Sequence, residues 1–172
     1  LSSLEARGVR ALSLHPMFGP GKSPYQPLTF VHAVRGDRAA EREVLARLLS
    51  HPYTSLVSVE FEEHDRMMAW LLGLSHLTNL VFGEAIANAA MDPEILHDAA
   101  STTFLRQATT ALSVLREDPD LYLDIQRLNP HRGQVFAALR EATDHLERCI
   151  ESEDREGFRS TLAAARRTLD RR

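Results

Sequence analysis

At 172 residues the chain is about one domain's worth and long enough to bury a real core. Its 44% hydrophobic and 26% charged residues are an ordinary globular composition, and a formal net charge of -4 gives no reason to expect a nucleic-acid surface. The single cysteine, Cys149, excludes an internal disulfide framework and fits a reducing cytoplasm.

Strand-like runs fall at Arg10 to His15, Leu28 to Val34 and Ser55 to Phe61. The first leads into Leu-Ser-Leu-His-Pro-Met-Phe-Gly-Pro, Leu12 to Pro20. The residue before a proline is driven to extended geometry, so His15 is expected at the exit of a strand. In open α/β sheets that carboxyl end is where ligands bind. A neutral histidine there has a pKa close enough to physiological pH to act as a general base. On spacing alone, a histidine that merely caps the strand is the competing reading. Between the second and third strands, Val44, Leu45, Leu48 and Leu49 recur at helical spacing behind Asp37, a suitable cap.

After Glu62 the pattern turns helical, which places a domain boundary at about residues 61–64. The longest apolar segment runs from about Glu63 to Ala90, and its Met, Trp, Leu, Val and Phe residues point all ways around the axis. Such a helix is buried in a large core or in a subunit interface, and is expected at the centre of a homodimer. Its histidine, asparagine and flanking charges argue against a membrane span. At about 100° per residue, Asp65, Leu72, His76, Asn79 and Gly83 share one stripe, with His64 roughly 100° away. Buried polar groups are costly without partners. The stripe therefore reads either as hydrogen-bonded pairs that orient neighbouring helices or as the wall of a ligand cleft. Asp65 is expected to cap the helix start, where a carboxylate suits the dipole.

Two helices are expected between Pro93 and Arg116, with Leu105, Ala108, Leu112 and Leu115 forming a core-like face. The opposite face carries Thr102, Arg106, Thr109, Thr110 and Ser113, and an arginine so placed is ordinarily solvated. Leu121 to Leu128 reads as a helix ended by Asn129-Pro130. His131 to Ser152 and Glu156 to Leu169 read as two more, suited to packing and dimer closure. The histidines at 32, 51, 97, 131 and 145 have no metal-ligand spacing with Cys, Asp or Glu, so no metal site is expected.

Several blocks, in order, carry a resemblance. They are Leu14-His15-Pro16-Met17-Phe18-Gly19-Pro20, then Glu63-His64-Asp65-Arg66-Met67-Met68-Ala69 and Leu74-Ser75-His76-Leu77. Asp118-Pro119-Asp120-Leu121-Tyr122, Asp124-Ile125-Gln126 and Asn129 follow. Over nearly the whole chain they resemble the prephenate dehydrogenase family. The resemblance implies a mainly α fold, in which residues 1–62 end a Rossmann-type nucleotide-binding α/β domain. Residues 63–172 would then form an all-helical dimerisation and substrate-binding domain.

The activity implied is NAD(P)-dependent oxidative decarboxylation of prephenate, or of arogenate or 4-amino-4-deoxyprephenate, in tyrosine or aromatic-metabolite biosynthesis. By the same resemblance His15 accepts the substrate's hydroxyl proton, Arg106 binds a carboxylate, and His64 and His76 line the substrate pocket. Arg106 stands one residue closer to the Asp118-Pro119 step than its counterpart in some relatives. A dinucleotide-binding fold also needs a G-x-G-x-x-G turn that opens a helix, and Gly19-Pro20-Gly21-Lys22 opens none. NAD or NADP is therefore expected to be bound mainly by a segment absent from this chain, which would be inactive alone. The alternative is a non-catalytic helical dimerisation or binding module lacking that half. Expected partners are a prephenate-like small molecule and a second copy of the chain in the cytoplasm, with neither nucleic acid nor membrane.

Overall fold

The computed structural model describes residues 6–8, 11–19 and 21–170. Arg10, at the start of the first expected strand, and Pro20, in the His-Pro block, lie outside the described residues. The chain divides into two compact units between Met67 and Met68.

The first unit contains β1 (Ser13–Pro16), β2 (Leu28–Val34), α1 (Arg38–Leu48), β3 (Thr54–Glu60) and all but the last residue of α2 (Phe61–Met68). The strands form one sheet in the order β1-β2-β3. β2 and β3 are parallel, as a pair joined through a crossover helix must be, and α1 is that helix. Asp37 starts it, with Oδ1 accepting from the backbone N–H of Ala39 at 2.8 Å and of Ala40 at 3.1 Å. β1 runs antiparallel to β2, with His15 opposite Val31 and Pro16 opposite Phe30. Its carboxyl end therefore lies at the amino end of β2. His15 does stand at the exit of its strand, as expected, but because β1 is antiparallel that exit is not at the carboxyl ends of β2 and β3, and His15 lies opposite Val31 in the middle of β2.

Val31, Ala33, Val34 and Leu45 are buried in this unit, together with one histidine. His32 is fully enclosed, yet both ring nitrogens are satisfied. Nε2 lies 2.7 Å from Glu41 Oε2 and Nδ1 lies 3.2 Å from Ser58 Oγ, its cross-strand neighbour. Pairing both nitrogens removes the desolvation cost that an enclosed imidazole would otherwise carry.

The second unit is helical: a π-helical stretch (Ala69–Leu74), α3 (Ser75–Asn88), α4 (Pro93–Asp98), α5 (Thr102–Leu115), α6 (Pro119–Leu128), α7 (Arg132–Glu151) and α8 (Arg155–Leu169). Asp92, Ser101, Asp118 and Asp154 cap four of these helices, with Pro93 and Pro119 in the first turns of theirs. Ala69, Leu77 and Val135 form a buried cluster packed by Leu74, Phe136 and Leu139. α3 packs on α5, and Gly83 makes room there: a Cβ on it would come within 2.8 Å of a Leu115 methyl.

Two expectations change in this unit. Leu105 and Leu112 are not core-facing, being 45% and 41% exposed, and Leu115, 47% exposed, turns only part of its side chain to Gly83, while Ala111 and Val114 are buried instead. The apolar arc of α5 is wider than α3 can cover, so its leucine side is left outward. The helical run after Phe61 is also not a uniform α-helix, because the π-helical stretch changes its phase between Asp65 and His76. Among the described residues, no helix is long and apolar enough to cross a membrane.

Candidate functional site

In the first unit, the junction of β3 and α2 is pinned from α1 and from the end of β2. Arg38 donates from Nη1 to the carbonyl of Ser58 at 3.1 Å and pairs with the Glu60 carboxylate. The Arg35 guanidinium lies 4.7 Å from the centre of the Phe61 ring. With the first turn of α2 held in this way, His64 is presented to β1.

His15 Nδ1 lies 3.2 Å from His64 Nε2, joining positions 49 residues apart. The two rings are tilted at 44°, with centroids 5.4 Å apart. His64 Nδ1 lies 2.9 Å from Asp65 Oδ1. The result is a row of three groups, imidazole to imidazole to carboxylate. Its inner end is partly enclosed, whereas the Asp65 side chain is 60% exposed. Burial pushes the His15 imidazole below its ordinary pKa of 6.5; His64 pushes the same way and Asp65 opposes it. His15 therefore stays neutral, with a lone pair able to accept a proton. Asp65 does not cap α2, as the sequence suggested, because the helix begins four residues earlier at Phe61. Its partner is the histidine beside it.

His76 and Arg106 belong to the second unit, on α3 and α5. His76 packs edge-on against Tyr122 of α6, with centroids 4.8 Å apart and rings at 88°. Its Nδ1 is buried and has no hydrogen-bond partner among the described residues. Burial lowers the His76 pKa, and burial with the Glu117 charge raises that of Tyr122. Arg106 is exposed on a face where Thr109, Thr110 and Ser113 turn their hydroxyls onto backbone carbonyls of their own helix. Those three hydroxyls are thus occupied within the helix.

Asn79, from the same expected stripe as His76, is fully accounted for. It donates from Nδ2 to the Ser75 carbonyl at 2.7 Å and accepts from Gln107 Nε2 at 3.2 Å, a bond between α3 and α5. This is the helix-orienting alternative for the stripe. Tyr122 and Gln126 were seen in the sequence only as parts of blocks, and Asp65 as a cap, a member of the polar stripe and part of a block, but not as a partner of His64. Adjacency to His64 was the one available signal for Asp65.

The described residues do not supply a cradle for a dinucleotide. Gly19 and Gly21 lie in the link between β1 and β2 and open no helix. A hollow of about 800 Å³ in the first unit, walled partly by Arg35, Asp37, Glu41 and Arg47, contains neither His15 nor His64. Among the described residues, no group of three or more His, Cys, Asp or Glu is placed to hold a metal ion.

Comparison with known proteins places this geometry in context. Residues 60–164, well over half the chain, match the family model described as prephenate dehydrogenase, dimerization domain. A protein of Methanocaldococcus jannaschii described as a probable arogenate/prephenate dehydrogenase is 24% identical over 154 residues, covering 88% of this chain and 34% of that protein. A 4-amino-4-deoxyprephenate dehydrogenase of Streptomyces pristinaespiralis is 26% identical over 165 residues, covering 95% of this chain and 55% of that one. The chain thus spans about a third and about half of these two relatives. The crystal structure of prephenate dehydrogenase from Aquifex aeolicus with hydroxyphenyl propionate and NAD+ superposes with a TM-score of 0.73 at 17% identity. That match covers 97% of this chain and 62% of the other, and it shows a common fold.

Proposed function

The chain belongs to the prephenate dehydrogenase family, and we propose that it forms the proton-accepting and carboxylate-binding part of an NAD(P)-dependent dehydrogenase of prephenate, arogenate or 4-amino-4-deoxyprephenate. The observation that carries this reading is the His15–His64–Asp65 row, which leaves a neutral imidazole on β1 backed by a carboxylate. We assign residues 1–62 to the nucleotide-binding side and residues 63–172 to the helical side, although the compact units divide a few residues later, between Met67 and Met68, with His64 and Asp65 in the first. NAD or NADP, when bound, accepts a hydride from the substrate ring. The dinucleotide is held mainly by residues other than those described, since no glycine-rich turn opens a helix among them.

His15 takes the proton from the ring hydroxyl or, in the amino analogue, from the ring amine. Loss of carbon dioxide then leaves an aromatic ring. Arg106 receives a substrate carboxylate, for which its planar fork is suited, and so holds the ring in register. His76 offers its unpartnered Nδ1 to a ligand group. Such an arrangement favours positioning and proton acceptance over covalent catalysis.

The outward Leu105 and Leu112, with Trp70, Leu71 and Val81, supply apolar surface for a second copy of the chain. The match to a dimerization domain supports that reading. The test is reduction of NAD+ or NADP+, followed by absorbance, when the full reading frame is given each of the three substrates. Turnover of at least one is expected. Failure with all three, from a folded dimer, would leave the non-catalytic dimerisation module in its place.

A further inference from the structure

We propose that His64 is a positioning residue that, with Asp65, fixes His15 in the tautomer whose Nε2 carries the lone pair. This rests on His15 being the proton acceptor, but the tautomer can be measured without any substrate. The argument is one of donors and acceptors. The Asp65 carboxylate can only accept, so His64 must place its hydrogen on Nδ1, 2.9 Å from Oδ1. In its neutral form His64 has one N–H, and with that hydrogen on Nδ1 its Nε2 is an acceptor. That atom lies 3.2 Å from His15 Nδ1, which must then carry the hydrogen of His15. The lone pair of His15 is thereby assigned to Nε2, the atom that must receive the substrate's proton.

Without such a partner an imidazole favours the opposite tautomer, with hydrogen on Nε2, and that form presents a donor where a base is required. Orientation by a neighbouring acceptor is how histidine bases are generally held. The exposures agree: His15 is half-buried, His64 is 18% exposed and Asp65 60%, so the row ends in a solvated carboxylate. The lowered basicity of His15 keeps the neutral form, in which the tautomer matters, dominant at neutral pH.

The experiment is nitrogen NMR of the 172-residue chain with 15N-labelled histidine, at neutral pH. The expected result for His15 is a protonated Nδ1 and an unprotonated Nε2. His64→Phe keeps a ring but offers no acceptor, and is expected to shift His15 to the Nε2–H form. His64→Gln can accept through its amide oxygen and is expected to restore the Nδ1–H form. Unchanged signals from enclosed His32 show that the first unit remains folded in each variant. An Nε2–H tautomer in the unaltered chain, or no response to His64→Phe in a folded variant, overturns the proposal. In the full reading frame, His64→Phe is expected to lower kcat about tenfold or more with little change in KM, and Gln to recover part of it. Absence of turnover in the unaltered protein would defeat the proposed activity alone, leaving the tautomer assignment to the NMR result.

Discussion

The side chain of Gln126 donates from Nε2 to the backbone carbonyl of Gly73 at 2.9 Å, bridging 53 positions of sequence. The carbonyl lies in the π-helical stretch Ala69–Leu74, where the wider turn loosens the regular helical ladder. Ser75 serves the same stretch, its Oγ donating to the carbonyls of Leu71 at 2.7 Å and Leu72 at 3.1 Å. These side chains give the carbonyls of the stretch further acceptor bonds, the one to buried Gly73 coming from another helix. α6 is thereby fastened to the helix that carries His76.

Removing that fastening is expected to be costly. Gln126→Leu removes this side-chain bond to the Gly73 carbonyl, and should destabilise the second unit by about 1 kcal/mol. Gln126→Glu, whose ionised carboxylate cannot donate, should do similar damage. Urea unfolding measures both, and an unchanged midpoint would contradict the role given to Gln126.

His76→Phe should separate stability from binding. The ring contact with Tyr122 survives, while the enclosed, unpartnered Nδ1 disappears. A gain of about 1 kcal/mol in stability is expected, together with a raised KM if that nitrogen meets the substrate. A stabilised variant with unchanged KM would assign His76 to packing alone.

The pH dependence of stability follows from His15 and His76, both lowered by burial from 6.5. As pH falls through that value, the unfolded chain takes up protons that the folded chain refuses. The stability held above it is therefore lost progressively as pH drops toward the lowered values. Thermal melts at about pH 7.5 and about pH 5 should show a smaller acid-induced drop in the variant His15→Gln/His76→Phe than in the unaltered chain. An equal drop would show that other groups carry the effect.

Arg106 is exposed on α5, so its replacement should leave folding intact. Arg106→Ala is expected to raise KM about ten- to a hundredfold through loss of a charge-assisted pair, with Lys recovering only part. Steady-state kinetics on the substrate that turns over measures this. An unchanged KM would return Arg106 to the ordinary solvated surface.

Local chemistry made much of the fold legible. The strand Leu28–Val34, the Asp37 cap and the succession of helices follow from apolar periodicity, capping residues and Asn129-Pro130. The π-helical stretch had no such signal. Ala-Trp-Leu-Leu-Gly-Leu is apolar at every position, so its hydrophobic pattern has no phase from which a wider turn could be read. A stripe drawn at about 100° per residue from Asp65 to Gly83 therefore ran out of register between its ends.

The candidate site shows the same division. His15 was visible from the proline that follows it, whereas its meeting with His64 depends on a pairing 49 residues long that no spacing rule encodes. The direction of β1 was hidden because a four-residue strand can pair either way. The outward leucines of α5 looked like core because an apolar face awaiting a second surface reads the same as one already covered.

The most direct test of the central claim is the effect of His15→Asn on oxidation of the preferred substrate by the full reading frame. The account predicts a fall in kcat of about a hundredfold or more, with KM changed only slightly, because the variant removes the proton acceptor and leaves the carboxylate contacts. A kcat close to that of the unaltered protein would contradict it, and would return His15 to the role of a residue that merely ends a strand.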